Sequence, residues 1–408
     1  MEKDTDIAIV GGGLNGPLLA LALSRAGFHV TVLDAVPVEV HTDPDFDGRS
    51  YALALGSQNL LRALGLWDGL ADMAQPIEDI VVADGRAGFG ATAHHVHFDH
   101  HELEEGPFGV MVEDRHLRAA LIAAVQADDR IEMRAPARVV AQQTDARGAA
   151  LTLEDGTVLT CKLIVGCDGR GSDTASRAGI RRMQTDYHQT SLVCALEHER
   201  PHEGVAHQMF FAQGPLAILP LRGNRVSIVW TESTERAQAI QALDDDNYLA
   251  ALAPRFGDFL GDVQLSGARY AYPLGLSLAE HWTAERVVLV GDAAHGIHPL
   301  AGQGLNLGLR DVATLAEVLT DAKRRGEDWA RGPVLERYAR WRRFDTAGLA
   351  MATDGLNRLF SNDNTLLRGL RDLGLGAVNA TAPLRRGFMR EAAGLGGDLP
   401  RLMRGRPL

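Results

Sequence analysis

The 408-residue chain has few cysteines: Cys161, Cys167 and Cys194 form no close pair of the kind that clasps a metal. Three thiols leave at least one unpaired, which suits a reducing compartment, and each reads as a packing residue. No uninterrupted apolar run approaches the ~20 residues of a membrane-spanning helix. The opening "MEKDTD" is acidic and lacks the apolar core of a secretory signal, so the expected location is the cytoplasm. Positive charge is also scarce, with 41 Lys and Arg against 53 Asp and Glu. The resulting net charge of -12 argues against nucleic acid as the main partner. Basic residues gather only at the end, where Arg385, Arg386, Arg390, Arg401, Arg404 and Arg406 face just Glu391 and Asp398. That tail reads as a solvated terminus or as a face for an acidic protein or anionic membrane surface.

What is present is glycine in particular places. The buried-strand pattern "IAIV" (7–10) runs into "GGGLNGPLLALALSRAG", where Gly11, Gly13 and Gly16 fit Gly-x-Gly-x-x-Gly and a helix is expected to end near Gly27. A second strand, "HVTVLD", ends in Asp34. Glycines admit a pyrophosphate to the backbone, the helix N-terminus supplies N–H donors, and the terminal acid accepts a ribose hydroxyl. This signature specifies a dinucleotide without choosing between FAD and a nicotinamide. A third strand (162–166) leads through Asp168 and Gly169 to a helix expected near Ser172, and a fourth, "RVVLVG", delivers Asp292. Beyond it Gly302, Gly304 and Gly308 surround the start of a helix whose apolar positions Leu305, Leu309, Val312, Ala316 and Leu319 recur at helical spacing. N–H groups from Gly302 to Asn306 would face negative charge, which suits a reduced flavin better than a nicotinamide ring.

These segments resemble the three motifs of class A FAD-dependent aromatic monooxygenases. "DGRSYALALGSQNLLRALGLWD", "MVEDRHLRAAL" and the tail from Thr353 are similar to the ubiquinone-biosynthesis hydroxylases, the UbiH/UbiF/VisC group. The resemblance implies an α/β fold: a Rossmann-like FAD-binding domain with an interleaved antiparallel-sheet substrate domain and a helical C-terminal region. The expected parts of the FAD domain are 1–75, 111–183 and 279–330. Substrate-domain segments are expected at 76–110 and 184–278, with the helical region at 331–408.

By the same resemblance, Arg49 lies along the flavin side, Arg115 near the FAD phosphate or ribityl chain, and Asp168 and Gly169 near the pyrophosphate. Asp292 holds the ribityl chain, while Pro299, Gly302, Gln303, Gly304, Leu305 and Asn306 surround the ring. His298, Pro299 and Gly302 are the expected positioning residues at the reaction centre, with no assigned base; His295 reads as a structural histidine bonded to its local turn. Asp34 departs from the glutamate that often ends this strand in the family. NADPH or NADH would reduce FAD without a Rossmann domain of its own, and O2 would then form a C4a-hydroperoxide that the phenol attacks. The implied substrate is a prenylated phenol of ubiquinone biosynthesis. Other quinone-biosynthesis proteins, the cytoplasmic face of the inner membrane and a homo-oligomer are the implied contacts.

The β-rich runs between 190 and 232 suggest an antiparallel sheet, with Phe211, Leu219, Trp230, Tyr270 and Tyr272 as lining residues or as domain core. "HHVHFDHHE" (94–102) has metal-binding composition but no recognised zinc spacing, and no metal is expected there. An oxidase or reductase on the same frame, or a flavin-bound scaffold, are the competing functions.

Overall fold

The three glycine-and-acid segments owe their meeting to one sheet. The computed structural model describes residues 4–86, 90–297, 302–360 and 381–408. Its six-stranded sheet runs Thr283–Ala284, Val287–Leu289, Leu163–Gly166, Ile7–Val10, Val30–Leu33, Ile131–Arg134, parallel except at the first pair. Ile7–Val10 and Val30–Leu33 are short and almost wholly buried because helices and a small sheet cover both faces, Thr31 being their one polar residue. In the register, Val10 sits beside Leu33 and Gly166, and Gly166 beside Leu289. The strands therefore end level, and Gly11, Asp34, Asp168 and Asp292 emerge along a single edge. Helix Asn15–Arg25 and the longer Gln303–Arg324 pack side by side in the main core.

An eight-stranded sheet forms the second layer, in the order His295–Gly296, Val263–Ala279, Arg182–His198, Arg225–Ser233, Gly214–Leu221, Val205–Phe211, Asp79–Arg86, Gly90–Asp99. Helices Thr234–Gln241 and Asp245–Phe256 cover one face, and the other looks toward the parallel sheet's edge. The sheet is not wholly antiparallel: Val205–Phe211 pairs in parallel with Asp79–Arg86. These two strands come from distant parts of the chain, so no hairpin dictates their direction. The third layer is helical. Helix Gly332–Phe360 continues through Gly355; one interior glycine costs a helix only about 1 kcal/mol. No helix among the described residues is long and apolar enough to cross a membrane.

Candidate active site

Each glycine of the first motif has a separate physical task. Gly11 sits at φ +112, where a Cβ would run into the Cys167 carbonyl, and a Cβ on Gly16 would collide with the Gly11 carbonyl. These two permit the tight turn and the close helix–strand packing. Gly13 has nothing within 4 Å of a notional Cβ, so its face is open to a ligand. Asp34 caps the neighbouring strand: one carboxylate oxygen accepts the Gly12 N–H at 2.5 Å, the other the Val36 N–H at 2.7 Å. His41 stands 3.5 Å from it.

The other two acids differ from each other. Asp168 accepts the Ser172 hydroxyl at 2.5 Å and the Thr174 N–H at 2.9 Å, so it secures the start of helix Asp173–Arg177 while Gly169 turns at φ +78. Asp292 is 39% exposed and touches Arg170 at 3.1 Å. It points outward at the sheet edge, where a polyhydroxylated chain can be met. Its main chain is fixed from behind: Arg182 donates to the Asp292 carbonyl at 2.9 Å and also to the Ala293 carbonyl. Burial pulls the Arg182 pKa below its ordinary value.

His295 is not bonded to its own turn, as the sequence suggested. Its side chain is completely buried and its Nε2 lies 2.6 Å from Asp311 on helix Gln303–Arg324. Asp311 also accepts the Gly291 N–H at 3.0 Å and Arg342 Nε at 2.7 Å. Burial by itself would raise the Asp311 pKa, but His295 and Arg342 bring it below the usual carboxylate value. Neither Asp311 nor Arg342 was singled out from sequence. The available signal was an acid interrupting the buried stripe Leu305, Leu309, Val312.

Helix Gln303–Arg324 begins at Gly302, which adopts the left-handed conformation at φ 63. It has no side-chain cap and no acid in its first turn, and helix Asn15–Arg25 shares both absences. Two helix N-termini thus keep their N–H donors and positive dipole ends available for an anionic cofactor. Asn15 Oδ1 is buried without a hydrogen-bond partner, and Gly291 and Gly308 press against the same amide. Asn306 is committed to the protein: Oδ1 accepts from Ala54 N at 2.8 Å and Ser57 Oγ at 2.7 Å, while Nδ2 donates to the Ala52 and Gly302 carbonyls. It pins the helix start to strand Ser50–Ala54. Gly304 faces open space and Leu305 packs on the main core. His298 and Pro299 lie outside the described residues. Open glycine, uncapped helix ends and an outward acid on one edge fit a dinucleotide with a second, ring-bearing half.

Residues 4–351 match the family model described as FAD binding domain. The chain is 45% identical to the ubiquinone hydroxylase UbiL of Rhodospirillum rubrum, covering 100% of this chain and 94% of that protein. It is 37% identical to the 3-demethoxyubiquinol 3-hydroxylase of Escherichia coli, over 97% of this chain and 100% of that one. The chain belongs to the FAD-dependent aromatic monooxygenases. Its relatives within that family include ubiquinone hydroxylases. Among solved structures, the p-nitrophenol 4-monooxygenase PnpA of Pseudomonas putida shares the fold, with a TM-score of 0.80 at 19% identity over 97% of this chain and 99% of that one.

In this monooxygenase, FAD would rest its pyrophosphate at Gly11 to Gly16, its adenosine ribose near Asp34 and its ribityl chain near Asp292. Arg49 and Arg115, the two arginines expected beside the cofactor, are already engaged by carboxylates. Arg49 lies 2.6 Å from Asp47 and 3.2 Å from Asp114, whereas Arg115 bonds Glu113 at 2.8 Å and the Pro44 carbonyl at 2.8 Å.

A largely apolar cavity of about 80 Å³ lies between the strand Ser50–Ala54, the Gln303 and Asn306 helix start, and the inner face of the eight-stranded sheet. Ile77, Ile80, Phe108 and Leu219 line it. Phe211 and Trp230 require correction, because both point to the opposite face. Trp230 pairs with Leu216, three residues from Leu219 and so of opposite parity, and both aromatics join the core beneath helices Thr234–Gln241 and Asp245–Phe256. Side chains alternate across a strand, so Leu219 and Trp230 cannot line one cavity. Tyr270 and Tyr272 stack 6.1 Å apart outside this cavity, with Arg49 5.8 Å above the Tyr270 ring.

The histidine segment forms strand Gly90–Asp99 and a following turn. His97 pairs with Asp79 at 3.1 Å, and among the described residues only Asp99, His100 and His101 offer donor atoms within 4.8 Å of one another. Asp99 is already bonded to the His101 N–H and ring. These contacts hold the turn.

Proposed function

We propose that this enzyme hydroxylates the aromatic ring of a prenylated phenol in ubiquinone biosynthesis. The observation that carries the reading is the apolar cavity wedged between the flavin-side helix entrance and the sheet, with full-length similarity to ubiquinone hydroxylases in support. FAD, when bound, supplies the electron transfer and oxygen activation, with NADPH or NADH as transient reductant and O2 as cosubstrate. The protein's own contribution is positional. Gly302 and the following N–H groups would hold the ring end of the cofactor. Ile77, Ile80, Phe108 and Leu219 exclude water from it. Apolar burial contributes roughly 0.8 kcal/mol per CH₂, which favours a substrate with an isoprenoid chain. Such a substrate resides in a bilayer or on a lipid-binding partner. The enzyme then works at the cytoplasmic face of the inner membrane, in contact with other quinone-biosynthesis proteins.

Selective loss of the protein, followed by mass spectrometry of the accumulating lipid-soluble phenols, tests the assignment. The expected outcome is a prenylated precursor lacking one ring oxygen. An unchanged phenol and quinone profile would contradict it.

A further inference from the structure

The cavity wall contains an amide whose bonding capacity is unspent. Gln208 lies on strand Val205–Phe211 opposite Ala217 and Val82, and strand alternation puts it on the same face as Ala206 and Leu219. It lines the cavity, is only partly exposed, and its side chain makes no hydrogen bond to any described residue. Of its polar neighbours in that wall, Asn306 is occupied, His207 is turned away, and Gln303 sits at the cofactor-side helix entrance. Asn306 spends both its amide atoms on Ala52, Ala54, Ser57 and Gly302. His207 is on the opposite parity of the same strand, and its ring packs 4.8 Å from Phe259 on the outer side of the sheet. Gln303 belongs to the helix entrance and also borders a separate polar recess with Arg310, Asp345 and Glu391.

We propose that Gln208 is the positioning residue that binds the phenolic hydroxyl of the substrate. The proposal rests on the prenylated-phenol reading above and deepens it by naming the group that orients the ring. A carboxamide both donates and accepts, so it matches a hydroxyl, which does the same. Being neutral, it orients the phenol without removing its proton. Accepting that proton's hydrogen bond leaves more electron density on the ring carbons ortho and para to the oxygen, which favours attack on an electrophilic oxygen. In an apolar wall the discrimination is sharpened, because an analogue without the hydroxyl leaves the amide unpaired once water is displaced.

The test uses the full-length, FAD-loaded protein and equilibrium binding read by the flavin absorbance change and by calorimetry, with 2-prenylphenol and prenylbenzene as probes. Wild type should bind the phenol about tenfold more tightly than the hydrocarbon. Gln208→Leu should equalise the two by weakening the phenol alone, at unchanged FAD content and melting temperature. Gln208→Met, unbranched and closer in shape, should do the same and guards against a packing defect in the first variant. If both variants keep the wild-type preference, the assignment of Gln208 is overturned while the phenol reading stands. If wild type shows no preference, no group reads the hydroxyl and the proposal fails. If wild type binds neither probe, the prenylated-phenol reading itself falls.

Discussion

The edge of the parallel sheet and the inner face of the eight-stranded sheet solve different recognition problems. The first grips with main chain: Gly11 and Gly16 bring backbone into contact, Gly13 leaves a face open, and two uncapped helix ends present N–H groups. The second offers side chains, and there one residue of register decides between cavity and core, as Leu219 and Trp230 show. Backbone recognition therefore leaves a spacing in the sequence. Side-chain recognition leaves only a composition.

The strongest way to break this contrast is Gly16→Val, whose side chain would run into the Gly11 carbonyl. No folded, flavin-containing protein is expected; purification of a yellow, cooperatively unfolding variant would show that close packing there is dispensable. On the second sheet, Trp230→Ala should cost about 3–5 kcal/mol of stability in denaturant unfolding and leave FAD bound, since the side chain fills core rather than cavity. Its counterpart, Leu219→Trp, should leave FAD content intact and reduce binding of a prenylphenol at least about tenfold by filling the cavity. Equal effects of the two changes on ligand binding would erase the distinction between the faces.

The smallest effect concerns pH. Burial pushes His207 down to about 4 from its ordinary 6.5. The unfolded chain therefore binds a proton between those values that the folded chain does not, so stability is full above pH 6.5 and falls as pH drops toward 4. The slope from this group is at most about 1.4 kcal/mol per pH unit. His207→Phe, which keeps a ring beside Phe259, should flatten the curve of melting temperature against pH in that window. An unchanged slope would mean that His207 is not the group responsible.

The same contrast explains what could be read in advance. Strands Ile7–Val10 and Val30–Leu33, the helix end at Gly27 and the acids at the strand ends were legible, because turn chemistry and the two periodicities all pointed the same way. Trp230 and Phe211 were nominated for their aromatic character, which says nothing about the face a strand presents. Gln208 went unnoticed for a related reason: an amide on a strand acquires meaning only when its face proves to border a cavity. Asp311 and Arg342 lie far apart in the chain, and their pairing with His295 depends on how two long helices cross beneath the third motif. His295 itself, though next to the outward-facing Asp292 region, is buried and serves to tie that loop to the helix behind it.

The proposed reaction joins the two regions: a flavin held at the sheet edge inserts oxygen into a ring held in the adjoining cavity. The most direct test supplies ¹⁸O₂ to the FAD-loaded protein with NAD(P)H and a prenylphenol, and follows the organic product by mass spectrometry. One labelled atom in a new ring hydroxyl is the predicted result. Substrate-dependent peroxide release with no label in the organic product would contradict the claim and identify an oxidase built on the same frame.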